Sequence, residues 1–281
     1  MNGGLKMVMS GSQKNIEGMR FIKKEDYAIC LIDNFSSELK ELIRKHLSKV
    51  CYGSAKTSLG RISYNYKNTL KEFLKRYEPK MYETRIGMVG ELMTHVLILE
   101  LFPEFETVSP YFNNEDRSIK KGFDAVLSSN NNKELWITEV KSGKLQINTN
   151  SNESNRRLLG LAKRDLKTRL NEPDIGIWEN AINGAKIALE HNVGSKKAVV
   201  DILLDETDNI YSENTTKSSD KNVVLVSSLF TSLVDEIREE SLKEFYSNTV
   251  SESLFNKVLI FSIQKELFEA IHEFLKEEAE K

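Results

Sequence analysis

The segment from Thr84 to Leu101 constrains the fold of this chain more than any other part of the sequence. Apolar residues lie almost all round it at helical spacing, and such a helix is stable in water only when other elements cover it. A chain of 281 residues is long enough to form a core of that size. The sequence therefore predicts a layered globular protein with this helix in its interior.

Glu91 is an anomaly within this apolar helix, because a buried carboxylate needs a partner. Gly87 and Gly90 allow another backbone to approach the helix closely at this point. A salt bridge or a surface position is one interpretation, in which His95 is a better partner than Arg85. For His95, the favoured interpretation is a core histidine hydrogen-bonded to Glu91 or a carbonyl, and the alternative is a metal ligand or a partner of one.

Residues 122–141 read as two short strands joined by an Asn-rich polar loop. Side chains alternate between the faces of a strand, so Glu139 and Lys141 point the same way. A turn at the middle of the loop brings Asp124 opposite Thr138 or Glu139. Two carboxylates and an ammonium then meet at one end of the hairpin. Such a cluster is electrostatically unfavourable unless a cation lies between the carboxylates.

Apolar runs and helical patterns follow one another along the rest of the chain. Strands are predicted at residues 27–33, 197–204, 222–229 and 257–263. Helices are predicted at residues 36–53, 68–77, 153–170, 177–192, 231–246 and 264–280. The polar segment 205–221 has few apolar anchors and is predicted to be mobile. This order indicates an α/β protein whose mixed central sheet is flanked by helices.

Three regions are predicted along the chain. Residues 1–20 form a flexible lead-in, residues 21–80 a mainly helical region packed on the core, and residues 81–281 the core with a C-terminal helix. The lead-in lacks the apolar segment of a secretory signal, and no apolar run approaches the roughly 20 residues of a membrane span. The only two cysteines, Cys30 and Cys51, exclude a disulfide framework, so a reducing, cytoplasmic setting is expected.

The carboxylates of Glu91, Asp124 and Glu139 are candidate ligands for Mg²⁺ or Mn²⁺, with the backbone carbonyl of Val140 as a further one. A metal bound there would polarise a phosphodiester and lower the pKa of a bound water. Lys141 could orient or help deprotonate that water, or stabilise the developing charge. Glu91, Asp124, Glu139 and Lys141 are therefore the predicted catalytic residues. The alternative is a charged turn on the surface.

Basic residues surround the hairpin and cover the helix that follows it. The net charge of −2 argues against nucleic-acid binding by bulk charge, so any DNA contact must come from a local patch. Such a patch would give sequence-independent, salt-sensitive contact with phosphates, although a solvated helix face is equally consistent with the pattern. The predicted DNA-binding residues are Lys120, Lys121, Lys144, Arg156, Arg157, Lys163, Arg164 and Lys167.

Three short motifs carry a family resemblance: Gly90-Glu91, Gly122-Phe123-Asp124 and Glu139-Val140-Lys141. Their order resembles that of the PD-(D/E)xK superfamily of restriction-endonuclease-like nucleases, in which a helix Glu, a strand Asp and a Glu-x-Lys strand form the site. One departure is Phe123, which stands where the family pattern has Pro. More narrowly, the chain resembles the HamA family, the nuclease subunits of the Hachiman anti-phage defence system.

The resemblance implies a restriction-endonuclease-like core with a helical N-terminal extension, and a Mg²⁺-dependent deoxyribonuclease that works with a HamB-like helicase subunit. No P-loop spacing is present in the chain, so a motor activity would have to come from such a partner. Two alternatives remain open. One is a non-catalytic subunit that binds DNA or a partner on the same scaffold, and the other is an enzyme acting on a small phosphoester.

Overall fold

A computed structural model describes residues 15–112, 122–129, 134–189, 193–213 and 215–281. These residues contain a single seven-stranded sheet. Its strands are β1 (Met19–Lys23), β2 (Tyr27–Ile32), β3 (Phe105–Thr107), β4 (Ala125–Ser129), β5 (Leu135–Lys144), β6 (Asn222–Phe230) and β7 (Lys257–Lys265). The order across the sheet is β1-β2-β7-β6-β5-β4-β3. The prediction of an α/β fold with a mixed central sheet is confirmed.

The centre of the sheet is parallel and its edges are antiparallel. Strands β2, β7, β6 and β5 run in parallel, whereas β1 at one edge and β4 and β3 at the other are antiparallel to their neighbours. Strands β6 and β7 are buried along almost their whole length, as expected of strands covered on both faces. Strand β2 pairs with β7, so the region of residues 21–80 adds strands to the central sheet as well as helices.

Helices cover both faces of this sheet. Their bounds are α1 (Ser37–Tyr52), α2 (Ser54–Ser58), α3 (Tyr66–Tyr77), α4 (Tyr82–Leu101), α5 (Ser151–Asn171), α6 (Ile175–Ala188), α7 (Val193–Glu213), α8 (Glu239–Ser251) and α9 (Phe268–Glu280). Buried residues of α1, α3, α4 and α9 form one core, and those of α5 to α8 form the other. Alternate residues of β5 reach the two cores, with Val140 in the first and Ile137 in the second.

Local chemistry explains where two of these helices begin. Ser36 accepts a hydrogen bond from the N–H of Leu39 at 3.2 Å, as predicted for an N-cap. Asn150 and Glu153 form a capping box at the start of α5. Helix α5 therefore begins at Ser151, inside the stretch that the sequence pattern left outside the helix. Replacing such a cap by Ala typically reduces stability by about 1 kcal/mol.

Three sequence predictions after residue 190 differ from the structure. Residues 197–204 were expected to form a strand, and the segment after them to be mobile, but α7 spans Val193–Glu213. Val199 and Leu203 are buried one turn apart, and Ile210 follows on the same face, which is the spacing of a helix. The helix expected from residue 231 begins only at Glu239.

Smaller differences concern the ends of elements. Strand β1 begins at Met19, within the predicted lead-in, and residues 1–14 lie outside the described residues. The stretch after Gly53, which lies between two predicted helices, contains α2 and a short 3-10 turn at Ile62–Tyr64. In the described part of the chain, no helix combines the length and the apolar character needed to cross a bilayer.

Candidate active site

The hairpin of β4 and β5 places Asp124 beside Glu139. Ala125 pairs with Thr138, and continuing this antiparallel register puts Asp124 opposite Glu139. Asp124 precedes the first residue of β4, and its Oδ2 accepts a hydrogen bond from the N–H of Val140 at 2.8 Å. The Asp124 carboxylate thus takes the place of a backbone carbonyl as the acceptor for Val140, at the point where the backbone pairing of β4 with β5 ends. The prediction that the two carboxylates meet at the end of the hairpin agrees with this register.

Glu139 is buried and surrounded by charge. Only 1% of its side chain is exposed. Lys141 Nζ lies 2.7 Å from Oε1, and Arg169 Nη1 lies 3.0 Å from Oε2. Burial and then the negative charge of Asp124 raise the pKa of Glu139 to about 7, against the opposing effect of Arg169 and Lys141. Two carboxylates are therefore held close together at a site with little water.

Lys141 is shared between two carboxylates. Besides Glu139, its ammonium contacts Asp165 Oδ2 of α5 at 3.0 Å. Burial lowers the pKa of Lys141, but the hydrogen bonds and charges of Glu139 and Asp165 outweigh burial and raise it overall. The pKa of Asp165 is raised by burial but is lowered overall, chiefly by Lys141. Lys141 is therefore a positively charged ammonium at neutral pH in this arrangement.

Helix α4 reaches the sheet at Gly90. A Cβ at this position would overlap Ser142 Oγ of β5 and lie 2.8 Å from Ser142 Cβ. Only glycine permits this approach, which explains its place in the most apolar helix of the chain. Gly87, three residues earlier, has no heavy atom within 4 Å of the same hypothetical Cβ. The close contact sets α4, and with it the backbone of the next residue, Glu91, against β5 at Ser142.

Tyr111 and His95 contact each other close to Asp124. The phenol of Tyr111 is buried, and its pKa is raised well above the usual value by burial first, then by Glu91 and also by Asp124. The hydroxyl itself donates to the backbone carbonyl of Met88 in α4 at 3.5 Å. His95 Nε2 lies 3.2 Å from the backbone carbonyl of Asp124, and its ring meets that of Tyr111 edge-on at 5.8 Å. The interpretation of His95 as a core histidine bonded to a carbonyl is confirmed.

The oxygen atoms at this site fit a small divalent cation in their chemistry. The N–H of Val140 faces Asp124, and in a strand the N–H and C=O of one residue face the same neighbour, so the Val140 carbonyl opens toward the same space. Mg²⁺ commonly uses one or two carboxylates and completes its shell with waters and substrate phosphates. Asp124, Glu139 and the Val140 carbonyl suit that pattern. Within the described ranges, no group of three or more His, Cys, Asp or Glu side chains is arranged as a ready metal cage.

Two of the predicted DNA contacts face another helix. Arg156 lies 2.8 Å from Glu244, and Lys163 lies 2.6 Å from Glu252, both on or just beyond α8. In these two pairs, the acidic side chains balance the positive charges of Arg156 and Lys163. Any contact of these two cations with phosphates would have to compete with the acidic residues of α8.

The remaining predicted contacts differ in how accessible they are. Arg157 and Lys167 are exposed on α5, Arg164 lies 3.2 Å from Asp165, and Lys144 Nζ stands 4.8 Å from the centre of the Tyr82 ring. Lys120 and Lys121 lie outside the described residues. A role of these residues in DNA binding stays a prediction.

Sequence reasoning did not single out two residues that contact the site. Neither Arg169 nor Asp165 was among the predicted catalytic, metal-binding or DNA-binding residues. Their spacing of four residues puts both on one face of α5, opposite the two-residue spacing of Glu139 and Lys141 on β5. The matching spacings could have indicated that these two pairs of charged residues face each other. Nothing in the sequence around Tyr111 pointed to its contact with the His95 ring.

Comparisons with known proteins agree with the motifs. No curated protein matches the chain. The family model described as HamA matches residues 11–277, which include all three motifs and all seven strands. A match over nearly the whole chain shows the family, and with it the defence system to which the family belongs. The chain is therefore a member of the HamA family and a component of the Hachiman anti-phage defence system.

Proposed function

We propose that this chain is a metal-dependent DNA nuclease and the effector of its defence complex. The observation that carries the proposal is the pair Asp124 and Glu139, two adjacent carboxylates of which one is almost fully buried. A lysine ammonium lies 2.7 Å from Glu139. Neighbouring carboxylates are unfavourable in a buried site unless they share a cation, so the arrangement favours a site built for one.

Asp124, Glu139 and the Val140 carbonyl would hold Mg²⁺ or Mn²⁺, with Glu91 of α4 as the additional carboxylate. A divalent ion at this position would supply Lewis-acid polarisation of the phosphodiester and a more acidic bound water. The hydrogen bond from the Val140 N–H keeps the Asp124 carboxylate turned toward Glu139. Helix α4 is held close enough to contribute Glu91 because Gly90 has no side chain.

Lys141 is suited to stabilise negative charge that develops on a phosphate. Its pKa is raised overall by Glu139 and Asp165, so it carries a proton at neutral pH and acts as a cation. Asp165 fixes the position of the ammonium from the other side at 3.0 Å. An ammonium held by two carboxylates loses little freedom when a substrate arrives, which favours catalysis.

DNA would reach this site along the exposed side of α5. Arg157 and Lys167 are exposed there, and Arg164 lies beside Asp165. Contacts of this kind bind phosphates without reading the base sequence and weaken with salt. The net charge of −2 makes such local contact more important than attraction by the protein as a whole.

We further propose that a helicase or ATPase subunit of the HamB type works with this chain. The sequence lacks a P-loop spacing, so ATP-driven movement on DNA would come from that subunit. This part rests on the family alone. It is supported if the two proteins co-purify and if the partner changes the rate of cleavage.

The decisive test compares two double variants in a plasmid-cleavage assay with Mg²⁺ or Mn²⁺, with and without the helicase subunit. Glu139→Ala with Lys141→Ala is expected to reduce cleavage by roughly 10³-fold or more. Glu134→Ala with Lys257→Ala removes the same charges from a surface salt bridge of the same sheet and is expected to keep full activity. A chelator should abolish cleavage by the unaltered protein.

Metal-dependent cleavage that survives in the folded Glu139 and Lys141 variant would overturn the proposal. The absence of cleavage by the unaltered protein with either metal, in the presence of its partner, would favour the alternative of a non-catalytic binding subunit. A preference for mononucleotides over plasmid would instead indicate an enzyme for small phosphoesters.

A further inference from the structure

The carboxylate of Glu139 is already satisfied by side chains of the protein itself. Oε2 accepts a hydrogen bond from Arg169 Nη1 at 3.0 Å, and Oε1 accepts from Lys141 Nζ at 2.7 Å and Arg169 Nη2 at 3.4 Å. Arg169 therefore spans both oxygens as a fork. This is the geometry in which a guanidinium binds a carboxylate most specifically.

Arg169 also contacts the strand that carries the other carboxylate. Its Nη1 donates to the backbone carbonyl of Gly122 at 3.1 Å, two residues before Asp124. One side chain of α5 thus connects the two segments on which Asp124 and Glu139 lie. Lys141 likewise has a second acceptor, Asp165, one helical turn before Arg169. Each cation could leave Glu139 and still keep one polar partner.

A divalent cation would need the oxygens that Arg169 now occupies. A divalent ion on these oxygens would be a third positive group beside Lys141 and Arg169, and its repulsion with the guanidinium is screened little because water is largely excluded. The side chain of Arg169 is about a quarter exposed, whereas that of Glu139 is almost fully buried, so Arg169 can move toward solvent more easily. The remaining contact with Gly122 would then hold it near the site.

We infer that Arg169 is the resident counter-ion of Glu139, and that metal binding requires this guanidinium to release at least one of the two carboxylate oxygens. The inference rests on the proposed metal site. Arg169 is then a positioning residue that also weakens the affinity of the site for the metal. It keeps the two carboxylates together in the metal-free protein, and it sets the concentration of metal at which the site fills.

The inference is tested by Mn²⁺ binding to the full chain without DNA, measured by titration calorimetry at pH 8. Arg169→Gln is expected to bind Mn²⁺ at least about fivefold more tightly than the unaltered protein, because one competing ion pair is removed. Lys167→Gln removes one positive charge from an exposed position on the same helix and is expected to change affinity by less than about twofold. Asp124→Asn identifies the part of the signal that belongs to this site.

The possible outcomes separate this inference from the proposed function. Binding that depends on Asp124 but is equal or weaker in Arg169→Gln overturns the inference and leaves the metal site standing. No Asp124-dependent binding in either protein overturns both. Binding that appears only in Arg169→Gln supports the inference. Because removal of Arg169 could unfold the site, thermal unfolding without metal is the folding control, and Arg169→Lys, which keeps the charge but loses the fork, is expected to give intermediate affinity.

Discussion

Two buried ionisable groups lie on opposite faces of the sheet, and they are stabilised in different ways. Glu139 faces α5, and Lys265 at the end of β7 faces the core of α4. Burial raises the pKa of Glu139 to about 7 and lowers that of Lys265 to about 7. The two groups thus approach neutrality from opposite directions for the same physical reason, the loss of water around a charge.

Their partners differ in kind. Glu139 is contacted by two cations, Lys141 and Arg169. Lys265 donates to the Ser228 hydroxyl at 2.5 Å and stands 4.3 Å from the Phe230 ring centre, and no carboxylate among the described residues lies within salt-bridge distance of it. On the α5 face, the charge of ionised Glu139 is balanced by Lys141 and Arg169. On the α4 face, Lys265 has no such partner within the described ranges, and burial favours its neutral amine.

The largest expected effect is on stability, from Lys265→Met. A base whose pKa is lowered by folding destabilises the protein fully below the folded pKa, and this penalty disappears as the pH rises from about 7 toward 10.5. Replacement by Met is therefore expected to raise the free energy of unfolding by up to about 4 kcal/mol at pH 6.5 and by much less at pH 9.5. Denaturant unfolding at the two pH values measures the difference.

Lys257→Met is the matched control, because Lys257 is on the same strand in a surface pair with Glu134. Its unfolding free energy is expected to change by less than about 1 kcal/mol. A loss of stability in Lys265→Met at pH 6.5 would mean that Lys265 is compensated by charge, and the contrast between the two faces would fail.

The next effect concerns Glu139→Gln without metal. An acid whose pKa is raised by folding makes the protein less stable as the pH rises from about 4.5 to about 7, and the penalty persists above pH 7. The variant lacks this ionisation, so its stability relative to the unaltered protein is expected to rise over that range by on the order of 3 kcal/mol. Unfolding in a chelator at pH 4.5 and 7.5 tests this. Parallel pH dependence of the two proteins would show that Lys141 and Arg169 compensate the charge completely.

The smallest effect compares two glycines of α4. Gly90→Ala is expected to reduce the unfolding free energy by about 2 kcal/mol, because the new Cβ overlaps Ser142, and to reduce cleavage by moving Glu91. Gly87→Ala meets no atom and is expected to stabilise the helix by up to about 1 kcal/mol. Adding Ser142→Gly should restore the stability of Gly90→Ala. Equal effects at both glycines would contradict the close contact between helix and sheet.

The sequence predicted most of what periodicity and strand alternation can determine. The apolar helix, the hairpin and the meeting of Asp124 with Glu139 follow from local patterns, and the structure has them. The assignment failed at residues 197–204, where a short apolar run fits a strand and a helix equally well. Only packing against α6 and its neighbours decides between them.

Interactions between distant elements were beyond the reach of local patterns. The fork of Arg169 on Glu139 joins residues 30 positions apart, and Lys265 and Ser228 are separated by 37. At the end of a strand, a lysine side chain can extend into solvent or point into the core, and the local sequence pattern does not distinguish these two cases. The motif residues could be read from the sequence, but the paired contacts of Asp165 and Arg169 required the placement of α5 on the sheet.

The pairing of β2 with β7 has a consequence for the order in which the protein can assemble. Strand β2 precedes its parallel neighbour β7 by most of the elements of the fold, so the middle of the sheet closes only after β7 has been made. The hydroxyl of Ser228 and the amine of Lys265, beneath α4, also belong to the last two strands. A nascent chain that ends before β6 therefore has Ser142 in place but lacks Ser228, which also lies against Gly90 of α4.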